Sequence, residues 1–312
     1  MTRRALAVAM VVAGALLAGS AIHATPLPNA PGCAIFPADN PWNTPVNTLP
    51  VAKNSAAMIK AIGRGAPLHP DFGSGTWDGG PIGIPFDVVS NATPAYAVRF
   101  QYASESDHVR YPIPTNVHIE GGPRATGDRH ALLVDKSTCR LYELYNLHHT
   151  SSGWTAGSGA TWSLGSDKLR PAGWTSADAA GLPIFPGLAR WDEVAAGVIN
   201  HALRFTAPVT RRAYVYPARH FASSSSSVSL PPMGLRVRLK ASVDISTFPP
   251  QARVVLKALQ VYGMILADNG SPWYISGAPN PNWSNNDLHA LSRLTGADFE
   301  VVDTSSLPQP GK

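Results

Sequence analysis

From Arg129 to Leu147 the chain reads RHALLVDKSTCRLYELYNL. Its two arms, Arg129–Asp135 and Arg140–Leu147, are rich in apolar residues and are separated by the polar Ser137-Thr138, so the stretch predicts a β-hairpin. Pairing about that turn sets His130 opposite Tyr145, Leu132 opposite Glu143, and Val134 opposite Leu141. With a side-chain period of two, those six residues share one face. An imidazole, a phenol and a carboxyl would then look out of a single surface.

Other strands are expected on both sides of the hairpin. Upstream, Ile84–Val89 and Tyr96–Phe100 flank a turn at Asn91-Ala92-Thr93-Pro94; downstream lie Ala202–Thr206, Ala213–Tyr216, Leu235–Leu239 and Phe299–Val302. Short, separated strands predict a mixed, mainly β fold, a β-sandwich or jelly-roll-like core with three or four short helices. The helices expected are Ser55–Ile62 after Asn54, Trp191–His201, Gln251–Ala267 after Pro249-Pro250, and Asp287–Leu294 with Asn286 as N-cap. Residues 25–53, with seven prolines, read as an extended N-terminal segment, residues 54–303 as one sheet-rich domain, and residues 304–312 as a disordered tail. The five-serine run Ser223–Ser227 reads as a surface loop, and no internal repeat is found.

Composition narrows the class. Only 14% of the 312 residues are charged while 44% are apolar, which excludes disorder driven by excess charge. The 29 Pro and 27 Gly exclude a helical bundle or coiled coil. Met1-Thr2-Arg3-Arg4, an apolar run from Ala5 to Ile22, and small residues near Ala24 have the form of a secretory signal peptide spanning residues 1–24. A retained anchor is the competing reading, since the run is only marginally long enough to span a bilayer. The expected location is secreted, extracellular or periplasmic, with no stable membrane insertion after cleavage, and a monomer is expected. Loss of Arg3 and Arg4 with the signal lowers the formal charge from +5 to +3, and no basic run exceeds Arg211-Arg212. Nucleic acid is therefore not an expected partner, whereas attraction to an acidic polymer stays open. In an oxidising compartment Cys33 and Cys139 are expected to form one disulfide, the alternatives being free thiols or an intermolecular bond.

The chain has no Gly-x-Ser-x-Gly elbow, His-Glu-x-x-His, phosphate loop or dinucleotide fingerprint. What remains is three groups of polar residues. Glu120, Asp128, His130, Glu143 and Tyr145 supply the paired acids, or acid with base, that proton transfer at a sugar requires. The competing reading makes Glu143 a solvent-facing strand residue and His130 a satisfied sheet histidine. Asp268 and Asn269 with Trp273, Tyr274, Trp283 and Asp287 are types that grip hydroxyls and cover sugar C–H faces, or else an ordinary turn with packed aromatics. Trp174 and Asp178 lie on a Pro/Gly-punctuated loop, Arg170–Gly187, that could wall a cleft or simply cross to the next helix. His201, Arg204, Arg219 and His220 are further polar candidates. No histidine pair shows ligand spacing, so neither a metal nor another cofactor is expected.

Four runs taken together, Gly127–His130, Leu141–Tyr145, Ser176–Pro183 and Tyr262–Gly270, resemble a widespread family of secreted bacterial proteins, with a likeness covering roughly Phe36 to Val302. The resemblance implies kinship and transfers neither an activity nor a catalytic residue.

The leading expectation is an exported carbohydrate-active enzyme that cleaves an extracellular polysaccharide as a glycoside hydrolase, with Glu143 as general acid and Asp128 or Glu120 as base or nucleophile. A polysaccharide lyase would use Tyr145 or His130 as base and Arg129 or Arg204 to neutralise a uronate. A non-catalytic glycan-binding or cell-envelope protein would use Trp273, Trp283 and the Asp268 loop as an open platform.

Overall fold

The computed structural model describes residues 24–312, so the expected signal peptide lies, but for Ala24, outside the described residues. Among the described residues the protein is mainly β, with several sheets and four short α-helices in a sandwich-like mixed arrangement. The hairpin register holds: Ala131–Asp135 pairs antiparallel with Arg140–Tyr145, setting Leu132 against Glu143 and Val134 against Leu141. Phe86–Val89 joins in parallel on one side and Ser158–Ser163 antiparallel on the other, giving a four-stranded sheet.

This sheet is buried on both faces. All five residues of Ala131–Asp135 are buried, which explains the continuous apolar run where a half-exposed strand would alternate. Leu132, Val134 and Leu141 enter the main core, while Ala131, Leu133 and Leu144 pack into a second cluster with Val98, Tyr111 and Ile113. The second cluster is shared with another four-stranded sheet, ordered Arg110–Pro112, Ala95–Phe100, Gly153–Ala156, His148–Thr150. Across the main core stands a six-stranded mixed sheet, ordered His69–Asp71, Tyr274–Ser276, Leu203–Ala207, Met264–Asn269, Arg236–Leu239, Phe299–Val301. Each fully buried Leu or Val contributes about 1.5–3 kcal/mol by leaving water.

Several elements differ from expectation. The helix expected over Gln251–Ala267 ends at Val261, and Met264–Asn269 is instead an inner strand of the large sheet. Gly263 makes the break: its φ is 66°, its N–H bonds the Ala258 carbonyl at 3.0 Å, and an added Cβ would lie 2.2 Å from the Val237 carbonyl oxygen. Only glycine fits there. The helix at Trp191 stops at Ala195, the expected strand Ala213–Tyr216 is reduced to a bridge between Tyr214 and Met233, and the last α-helix is Asn285–His289, N-capped by Ser284 rather than Asn286.

Cys33 and Cys139 form a disulfide, fastening the N-terminal segment to the hairpin turn. That segment has no strand or helix before the bridge at Val51, yet Trp42 and Val46 are buried in the body of the protein. The C-terminal residues, expected as a loose tail, turn back so that the Tyr216 hydroxyl donates to the Pro310 carbonyl. Among the described residues no helix is long and apolar enough to cross a membrane.

Candidate active site

Glu120 and His130 are joined before their side chains meet. The Glu120 N–H donates to the His130 carbonyl at 2.9 Å, and Gly121 and Gly122, with φ of 68° and 86°, turn the chain away immediately after. His130 Nδ1 then lies 2.6 Å from Glu120 Oε2, and its Nε2 lies 3.0 Å from the Ala177 carbonyl oxygen. A carbonyl can only accept, so Nε2 carries a proton, and the short contact on the other side completes an imidazolium–carboxylate pair. Burial opposes charge on His130, but the charge and hydrogen bond of Glu120 outweigh it and push the imidazole up to about 9. Burial likewise opposes ionisation of Glu120, and His130, with Arg204 beyond it, holds the carboxyl below its ordinary value.

A second charged group comes from the large sheet. Arg204, in Leu203–Ala207, is buried and grips Asp178 with a fork, Nε to Oδ2 and Nη2 to Oδ1, both at 2.7 Å. Its Nη1 donates to Ser276 Oγ at 2.6 Å, and Asp268 Oδ2 stands 3.6 Å from Nη2. Burial, then the nearby Asp178 charge, push Asp268 up to about 7, with Arg204 acting against both. The arginine is thereby satisfied in the core rather than offered to a ligand.

Glu120 also faces outward, into a cleft of about 910 Å³ that contains three further acids, Asp71, Asp78 and Asp128. Asp71 ends the edge strand His69–Asp71 and is paired in register with Ser276, which places it beside the Arg204 group. Pro70 is tolerated there because an edge strand can lack one donor. Burial pushes the Asp71 carboxyl above its ordinary value; His69 pulls it down, the Glu120 charge adds to the rise, and Arg204 acts against it. The cleft therefore holds one carboxyl lowered from its ordinary value and another raised above it. It also has aromatic surface: Tyr274 stacks on His69 with centroids 4.0 Å apart, and Trp77 is 79% exposed.

The other expected site residues are placed as follows. His130 and Tyr145 lie together, rings 5.8 Å apart, with Tyr145 half-buried and its phenol raised by burial and then by the Asp128 charge. Glu143 shares their face but is wholly buried, and it does not line the cleft. Its oxygens accept from the Ile184 N–H at 2.9 and 3.0 Å and the Phe185 N–H at 2.8 Å, anchoring the Pro/Gly loop to the hairpin. Burial pushes it up to about 8, against those N–H donors.

Trp273 is no platform: it is 0% exposed, stacks between Phe205 and Phe299, and donates to the Gly63 carbonyl. Trp283 is buried against Phe72 and Trp191. Asn269 is occupied by Thr210 and the Ala222 carbonyl, and Trp174 lies beside the Arg170 guanidinium, away from the cleft lining. Asp178 is buried under Arg204, and Arg129 spends its guanidinium on the Leu147, Pro123 and Ala125 carbonyls. His201 pairs with Glu193 at 3.1 Å within the core.

Sequence reasoning missed Asp71, His69 and Trp77. The available signal was a His-Pro-Asp triplet beside a Gly-rich turn, HPDFGSGTWDGG from His69 to Gly80, where polar side chains in a short extended run have no apolar periodicity to explain them.

No family model, curated protein or solved structure matches this chain.

Proposed function

We propose that the protein is an exported glycoside hydrolase whose cleft cleaves a polysaccharide with Asp71 as general acid and Glu120 as the ionised partner. The observation that carries this reading is that both carboxyls line one cleft, where the Glu120 charge acts on Asp71, while their surroundings bias them in opposite directions. Divergent environments of that kind assign an acid and a base. The Asp71 proton passes to the glycosidic oxygen as the C–O bond breaks, and its electron pair leaves with the departing sugar. Glu120 either attacks the anomeric carbon or removes a proton from the attacking water, according to the separation of the two carboxyls. His130, held on Nε2 by the Ala177 carbonyl of the Pro/Gly loop, maintains the Glu120 charge without touching the sugar. Asp128, on the same cleft, is placed to hold sugar hydroxyls.

This assigns to Asp71 the proton donation expected of Glu143, whose oxygens are committed to backbone N–H groups away from the cleft. The lyase reading loses support because both His130 ring nitrogens are engaged, Tyr145 does not line the cleft, and Arg129 and Arg204 are consumed internally. The binding-platform reading loses it because Trp273 and Trp283 are core residues. The disulfide accords with export. The test is release of reducing ends from a polysaccharide panel: Glu120→Gln and Asp71→Asn are each expected to lower turnover at least about 100-fold. Turnover at the parental rate in either folded variant removes that residue from the chemistry.

A further inference from the structure

Trp77 is a large apolar side chain left 79% exposed at the cleft, and the chain around it is built to hold it there. It stands on a two-stranded ribbon, Thr76–Trp77 against Gly80–Pro81, closed by Asp78-Gly79 with φ of 49° and 84°. Both turn residues occupy the left-handed region that a two-residue hairpin demands. The ribbon leans on the turn that carries Glu120: a Cβ on Gly80 would lie 2.1 Å from the Gly121 carbonyl, and one on Gly122 would lie 3.3 Å from the Gly79 oxygen. Backbone thus packs directly on backbone, fixing the ribbon that carries Trp77 relative to the turn that carries Glu120.

The charge of the lining completes the picture. Asp71, Asp78, Glu120 and Asp128 line the cleft, and no Lys or Arg does among the described residues. The cations behind it are spoken for, His130 by Glu120 and Arg204 by Asp178. A uronate or sulfated sugar entering here would meet four acids and, for basic groups, only the imidazoles of His69 and His289, and clefts dominated by one sign of charge repel ligands of that sign. The acidic polymer that the net charge left open is disfavoured locally. An indole face and carboxylates together suit a ring with an apolar C–H side and free hydroxyls.

Resting on the hydrolase reading, we infer that the Trp77 ribbon is a glycan-gripping subsite of the cleft and that the glycan it grips is built from sugars bearing neither carboxylate nor sulfate. The test is affinity electrophoresis through gels containing arabinan, mannan, mixed-linkage β-glucan or polygalacturonate. It uses Glu120→Gln and, separately, Asp71→Asn chains so that polymer is not digested. Retardation is expected in at least one neutral polymer and not in polygalacturonate. Trp77→Ala should weaken it roughly tenfold and Trp77→Phe should restore most of it. Because Trp77 is exposed, the alanine chain should unfold at the parental temperature. Retardation by polygalacturonate alone, by none of the polymers, or equally with and without the indole would each overturn the inference. Retardation through Trp77 with no reducing ends released by the unmodified protein would leave the subsite standing and remove the hydrolase.

Discussion

His130→Asn is expected to remove a defined, pH-dependent part of the folding stability. In the folded protein the imidazole is pushed up to about 9 from its ordinary 6.5. One pH unit is about 1.4 kcal/mol, so a rise of this size lets the pair with Glu120 contribute at most about 3–4 kcal/mol. A raised folded value fixes the sign: the stabilisation is fully present below pH 6.5, falls as pH rises because the folded state retains a proton the unfolded state has lost, and is gone above about 9. Complete burial of His130 and its fixed Ala177 partner argue against screening by solvent on the imidazole side. Equilibrium denaturation of parent and variant at half-unit steps from pH 6 to 10 isolates this contribution as the difference between the two curves. That difference should shrink by about 1.4 kcal/mol per unit between pH 6.5 and 9 and then level. Curves that stay parallel across the range would mean that the imidazole is neutral in the folded state and that Glu120 is not held ionised by it.

Glycan cleavage should follow a bell-shaped pH profile, its acid limb set by Glu120 below the ordinary carboxyl value and its alkaline limb by Asp71 above it; initial rates against pH in the parent and in Asp71→Asn check which limb moves. Glu143→Gln should lower the unfolding free energy by about 1–3 kcal/mol, measured by denaturant titration, while the folded fraction keeps its turnover, because it leaves a buried amide N–H₂ among backbone donors. Cys33→Ser with Cys139→Ser should cost up to about 4–5 kcal/mol, since the bridge closes a loop with a sequence separation of 106; thermal unfolding with and without reductant reads this, and an unchanged midpoint would contradict it.

The hairpin was legible because its two arms are long, apolar and joined by a polar turn, and its predicted partners Leu132–Glu143 and Val134–Leu141 stand as read. The disulfide followed from there being two cysteines in a chain with an export-like start. The helix over Gln251–Ala267 ran too far because a buried inner strand, Met264–Asn269, continues an apolar run that periodicity cannot tell from a helix, and the stop rests on one glycine. Glu143 was correctly placed on the His130 face, but whether a face meets a cleft or a core depends on the layer laid over it, here the Ile184-Phe185 turn some forty residues on. For the same reason the polar run His69–Gly80 marked itself in the sequence without assigning a role to Asp71 or Trp77. Their significance arises only when an edge strand, a small ribbon and the Glu120 turn converge on one cleft, and no local spacing encodes that convergence.

Glu120 and Asp71 are biased in opposite directions within one cleft, and carboxyl carbon chemical shifts followed by NMR across pH, assigned with Glu120→Gln and Asp71→Asn, measure that divergence directly. The expected result is a Glu120 midpoint below the usual glutamate value and an Asp71 midpoint above the usual aspartate value. The reverse order, or two ordinary midpoints, would contradict the account.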